Sequence, residues 1–149
     1  MPMRATALPE LLEAHAPRMT GEALRELVMH PRTPAFRGLP RDEVATRVGA
    51  LYRNLGHWLA HHDDDAVRRE YEDWGRTRFA QAVPLSELGY AVILAKDRLR
   101  RYAREQGLAD LQAVEVMIGE FFDRTLYYLM RGYEMQAATT PRAASGGAR

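Results

Sequence analysis

The segment Pro40-Arg41-Asp42-Glu43-Val44-Ala45-Thr46-Arg47-Val48-Gly49-Ala50-Leu51-Tyr52-Arg53-Asn54-Leu55-Gly56-His57-Trp58-Leu59 carries the pattern that decides the fold class. Val44, Val48, Leu51, Leu55, Trp58 and Leu59 mark one face, the first five in steps of four, three, four and three. That is the step of a helix with one apolar face, since about 3.6 residues complete a turn; a half-buried strand would alternate every second residue. Pro40 stands where a helix tolerates proline, and Asp42 and Glu43 follow in the first turn, where the helix dipole favours acids. His61, His62 and the run Asp63-Asp64-Asp65 end this helix and cap the next.

The same spacing recurs along the chain in both directions. Upstream, a helix from about Leu8 to His30 carries Leu24, Leu27 and Val28 and is expected to break or restart near Pro17. His30-Pro31 and Thr33-Pro34 stop it, because a residue before proline is pushed out of the helical region. Downstream, a third helix places Val67, Tyr71, Trp74, Gly75, Phe79 and Ala82 on one face and halts at Val83-Pro84. Pro84 opens a fourth with Leu85, Leu88, Val92, Ala95, Leu99 and Tyr102 along one side, ending near Gly107. The fifth, about Ala109 to Gln136, is the longest, and no stretch alternates like a strand. The expected fold is therefore all-α: an antiparallel or globin-like bundle of about five main helices in one domain over residues 1–138, with a disordered tail over 139–149.

Bulk properties narrow the function classes. The chain has 149 residues, 46% apolar and 28% charged, with a formal charge of +1 and no cysteine. One domain of this size buries its own core, and a near-neutral charge gives no general attraction to nucleic acid. Without cysteine there is no disulfide, thiolate nucleophile or iron–sulfur ligand, as suits a cytoplasmic protein. The first 17 residues lack the apolar core of a signal peptide, and the longest charge-free apolar run, Leu88 to Ala95, is far shorter than the ~20 residues of a membrane span. Neither membrane insertion nor nucleic-acid binding is expected.

Catalytic constellations are equally hard to assemble. Ser86 and Ser145 are the only serines, one in a helix's first turn and one in the tail. His57 and His61 stand four apart, a spacing that can hold a metal, yet they occupy a helix end with no third ligand at a diagnostic spacing. All five histidines, at 15, 30, 57, 61 and 62, lie in the first half of the chain, away from where a globin's proximal ligand belongs. The carboxylates Glu70, Glu72 and Asp73, and Glu115, Glu120 and Asp123, are scattered around their helices. The basic run Lys96 to Arg104 reads as a solvated face, with Asp97 able to bridge to Arg101. No enzyme activity and no cofactor are expected.

Three features remain. Arg78 falls four residues after Trp74, on or beside the apolar face, as a buried pair that fixes helix register or as an anion or ligand contact. The ligand reading places a pocket between the third, fourth and fifth helices, with Trp74, Arg78, Tyr90 and Phe122 as its candidates. The fifth helix has an apolar arc wider than one packing face needs, making Phe121, Leu126, Tyr127, Met130 and Tyr133 interface candidates for a homodimer. Finally, Gly49, Gly56, Gly75, Gly89, Gly119 and Gly132 all lie inside helices at up to about 1 kcal/mol each, which points to close helix approach or to room for a ligand.

The stretch Trp74-Gly75-x-x-Arg78, followed by Pro84-Leu85-x-Glu87-Leu88 and a long apolar-basic helix, resembles the N-terminal domain of RsbR-type stress regulators, the RsbT co-antagonist family. Pro34-Ala35-Phe36-Arg37-Gly38-Leu39-Pro40-Arg41 is similar to that family's link between its first two helices, and the likeness spans roughly Leu24 to Glu134. Ala82 departs from it, standing where a glycine is common before the Pro-Leu step. The resemblance implies a non-haem globin-like fold, dimeric, acting as a bacterial sensory input module without catalytic residues. In many relatives a signalling output domain follows; with only a loose tail after the last helix here, the expectation is a module that acts as a stand-alone partner or docks a protein signalling partner through that helix. The alternative expectation is a helical protein binding a small molecule, haem or metal between helices three to five.

Overall fold

The computed structural model describes residues 7–141, and these form an all-helical bundle. Helix α1 spans Leu8–Met29, α2 Arg41–His61, α3 Asp64–Ala80, α4 Leu85–Glu105 and α5 Leu111–Thr139. A short 3-10 turn, Pro34–Gly38, lies between α1 and α2. Consecutive helices run antiparallel: Leu12 faces Gly56 while Thr20 faces Gly49, and Lys96 meets Asp123 while Arg104 meets Glu115. One continuous core joins all five helices, with Tyr52, Tyr71, Phe121 and Phe122 among its largest fully buried members.

The closest packing is between α3 and α5, and two glycines create it. A Cβ on Gly75 would lie 2.7 Å from the backbone nitrogen of Tyr133 and nearer still to the carbonyl of Leu129. A Cβ on Gly132 would lie 2.7 Å from the Cα of Glu72 and would collide with its carbonyl. The two backbones therefore touch directly, each helix fitting into the gap left by the other's glycine. Phe79 seats edge-on against Tyr133 beside this crossing, 5.2 Å between ring centres.

Helix ends follow the chemistry of the sequence. Asp63 caps α3 by accepting from the Ala66 amide at 3.0 Å, and Asp64 accepts from the Trp58 indole at 2.8 Å. Two helices close with the same left-handed turn. After α4 it is Gly107 at φ +60°, with Leu108 N donating to Ala103 O; after α3 it is Ala82 at φ +59°, with Val83 N donating to Arg78 O. The absent glycine at position 82 thus leaves the turn unchanged and loads its strain on an alanine.

Two expectations need correction. Helix α1 does not break at Pro17. Pro17 and Glu13 are both exposed, so the carbonyl that loses its partner opens to water, while Leu11, Leu12, Met19, Ala23 and Leu27 hold the buried side together. The Pro34-to-Gly38 link is itself helical and buries Phe36. Helix α5 starts at Leu111 and runs on to Thr139, so the start of the expected tail is helical; residues 142–149 lie outside the described ones.

The backbone geometry sets three expected outcomes. Gly75→Ala or Gly132→Ala should destabilise the fold by more than about 3 kcal/mol in urea denaturation, since two backbones must part. Gly119→Ala, whose Cβ would meet nothing within 4 Å, should instead stabilise by about 0.5–1 kcal/mol. Ala82→Gly should raise the melting temperature by a few degrees, equivalent to about 0.5–1 kcal/mol, by relieving the left-handed residue. An unchanged or lowered melting point would refute that strain.

Candidate functional site

Two of the residues singled out in the sequence, Trp74 and Arg78, belong to one knot of polar and aromatic groups under α3. Arg78 is 5% exposed, and its Nη1 donates to Glu43 Oε2 at 2.8 Å, Glu43 Oε1 at 3.1 Å and Gln81 Oε1 at 2.7 Å. Its guanidinium lies over the Phe36 ring, 5.5 Å from the centroid. Arg47, one turn after Glu43 on α2, shares that carboxylate at 3.3 Å and stacks 4.5 Å above Trp74. Glu43 thus serves two arginines from α2 and α3. The sequence marked it only as a first-turn acid; its i+4 arginine was the available hint of a larger pair.

A buried acid of α4 ties the separated motifs together. Glu87, in the first turn of α4, accepts from the Ala35 amide at 2.7 Å and so fixes the Pro34–Gly38 turn to α4. Tyr133 closes the other side, its hydroxyl donating to Val83 O at 2.8 Å. Farther away, Arg98 of α4 donates to Glu26 at 2.6 Å and Glu22 at 3.3 Å of α1. Burial pushes the Tyr52 and Tyr71 phenols above their usual range; Tyr52 donates to Ala95 O at 3.0 Å, and Tyr71 accepts from Asn54 Nδ2 at 2.9 Å.

The four pocket candidates do not form one site. Trp74 and Arg78 share a cavity of about 40 Å³ with Phe36, Val44, Leu88 and Leu129, room for a few water molecules and far below a small-molecule pocket. Phe122 lies elsewhere in the core against Phe121, 5.5 Å between ring centres. Tyr90 is half-buried beside His30, its hydroxyl 3.3 Å from Nε2. The larger cleft, about 580 Å³, opens between α1 and α2 instead.

The interface candidates divide as sharply. Phe121 is 1% exposed and packs on Trp58, Tyr71 and Phe122, so it belongs to the core and is withdrawn as an interface residue. Tyr133 is half-buried and held at the α3–α5 crossing by Phe79 and Val83, so it too serves the fold. Tyr127 is 53% exposed, and Leu126 and Met130 are half-buried next to it. Val116 at 56% and Ile93 at 43% add to this set. These residues lie along the outer side of the α4–α5 pair, whose seam is marked by Leu126 against Gly89 and by the Lys96–Asp123 pair at 3.5 Å.

His57 and His61 stack 4.4 Å apart on the exposed end of α2, and among the described residues no group of three or more His, Cys, Asp or Glu could hold a metal. In the basic run, Arg98, Lys96 and Arg104 pair with acids of α1 and α5, whereas the expected Asp97–Arg101 bridge does not form. No described helix is long and apolar enough to cross a membrane. No family model, curated protein or solved structure matches the chain.

The Arg78 knot can be tested by a double-mutant cycle. Glu43→Gln leaves a buried guanidinium without its carboxylate and should lower stability by about 2–4 kcal/mol. Arg78→Met should also destabilise, and the double variant should lose at least about 1 kcal/mol less than the sum of the singles. Additive losses in urea denaturation would show that the pair is not coupled.

Proposed function

We propose that the chain is a regulatory or sensory module of the RsbR N-terminal type, acting through protein–protein contact and pairing with a second copy of itself. The observation that carries the reading is the outer face of α4 and α5. Ile93, Val116 and Tyr127 are exposed there, and Leu126 and Met130 are half-exposed. Two antiparallel helices with an apolar outer strip can pack on their own copy as a four-helix arrangement, the self-complementary geometry of a two-fold dimer. Gly89 and Gly119 keep that face low, and nothing lies within 4 Å of a Cβ at Gly119.

The placement of the family-like residues gives further support. Phe36, Trp74, Gly75, Arg78 and Glu87 come from separate stretches and meet in one knot that fixes how the helices cross. A resemblance carried by such residues is one of architecture, and a globin-like bundle with a sensory role is the architecture it implies. Signal and partner would then be read on surfaces.

Sedimentation velocity should find a dimer at micromolar concentration. Tyr127→Glu and Ile93→Glu should each weaken it more than ten-fold while leaving the helical circular-dichroism signal intact, because both side chains are exposed. A wild-type monomer at high micromolar concentration would refute the self-pairing reading.

A further inference from the structure

The helix-interior glycines fall into two groups. Gly75 and Gly132 are demanded by backbone contact, whereas Gly49 and Gly56 of α2 are not. A Cβ on Gly56 would meet only Leu12 Cδ1, at 3.8 Å, which is ordinary contact distance. The atoms nearest a Cβ on Gly49 belong to side chains, Arg53 Nη1 at 3.2 Å and Thr20 Oγ1 at 3.5 Å, with no backbone closer. Both glycines carry the helix-propensity penalty of about 1 kcal/mol without bringing two backbones together. What they do is open the floor of the 580 Å³ cleft between α1 and α2, a volume within the ~300–1,000 Å³ range of small-molecule sites.

The cleft also holds an uncommitted charge. Arg53 lies back over Gly49, with Nη1 3.2 Å from where a Cβ would stand, and forms no ion pair or hydrogen bond among the described residues. The glycine is what lets the guanidinium lie along the floor. At the same point the Thr20 hydroxyl is 3.5 Å from that Cβ position. The walls toward the other end are carbon: Leu12, Ala16, Pro17 and Gly56, with the carboxylate of Glu13 at the edge.

We propose that this cleft binds an amphipathic monoanion, an aliphatic chain bearing one carboxylate. The carboxylate would pair with Arg53 beside Gly49, and the chain would lie over Gly56 against Leu12 and Pro17. The guanidinium's planar fork matches a carboxylate bidentately. The apolar walls take the chain, and Glu13 disfavours a second acid group at the far end. The site lies on α1 and α2, away from the α4–α5 face, so it stands or falls independently of the self-pairing reading.

Calorimetric titration of the full chain with decanoate and with decan-1-ol tests this directly. Decanoate should bind saturably, one per chain, about ten-fold more tightly than the alcohol. Arg53→Gln, at an exposed residue that makes no contact the fold depends on, should remove that preference by weakening decanoate about ten-fold. Gly56→Leu should fill the floor and abolish binding of both ligands without lowering the melting temperature, since leucine is the better helix former. Absence of saturable binding up to about 1 mM decanoate overturns the proposal. So does an Arg53→Gln protein that keeps its preference, or a folded Gly56→Leu protein that binds like wild type.

Discussion

The bundle depends on two backbones touching. Where α3 meets α5, Gly75 faces the Leu129 carbonyl and Gly132 faces Glu72, leaving no room for even a methyl group on either side. Side-chain packing usually keeps helix axes ~8–10 Å apart and tolerates modest adjustment. Backbone contact is less forgiving, because neither partner can change rotamer. The crossing therefore fixes both the depth and the position of α5 along α3, and the remaining helices are arranged around that joint.

Polar groups extend the constraint outward. Arg78 leaves α3 one turn beyond Gly75 and takes hold of Glu43, which sets α2 relative to α3. Its ring contact with Phe36 and the Glu87–Ala35 bond then hold the Pro34–Gly38 turn between α3 and α4. On the far side, Arg98 joins α4 to α1 through Glu22 and Glu26. A buried pair of this kind adds little net stability, because desolvation opposes the attraction, but an alternative packing would leave a charge stranded. These pairs consequently select one arrangement among the many that five amphipathic helices allow.

Much of this was legible in the sequence, and what was not has physical causes. The helices were readable because apolar steps of three and four are local, as were the Asp63 cap and the Gly107 stop. Pro17 misled because proline's effect depends on whether the orphaned carbonyl meets water, a matter of which side faces out. Phe121 and Leu126 both belong to the apolar arc of α5, and only the placement of α3 and α4 decides that Phe121 is core and Leu126 is rim. Glycine was the hardest case. Gly56 and Gly132 look alike in sequence, yet one stands 3.8 Å from a Leu12 methyl and the other against the Glu72 backbone, a distinction made by residues far away in the chain. Trp74 and Arg78 do lie side by side, but the space they share is only about 40 Å³, walled in by Phe36, Val44 and Leu88.

The same joint bears on how such a module would respond to a partner. Tyr127 and Met130, on the outer face, flank Leu129 and lie within five residues of Gly132, on the inner one. A contact made at the outer face cannot slide α5 past α3 locally, because Glu72 and Leu129 would collide with the opposing chain. It can only move α5 together with α3, and α3 is tied to α2 through Arg78 and Arg47. The α1–α2 cleft sits at the edge of that block, since its floor is α2 and its wall is α1. Neither α1 nor α2 takes part in the glycine crossing itself.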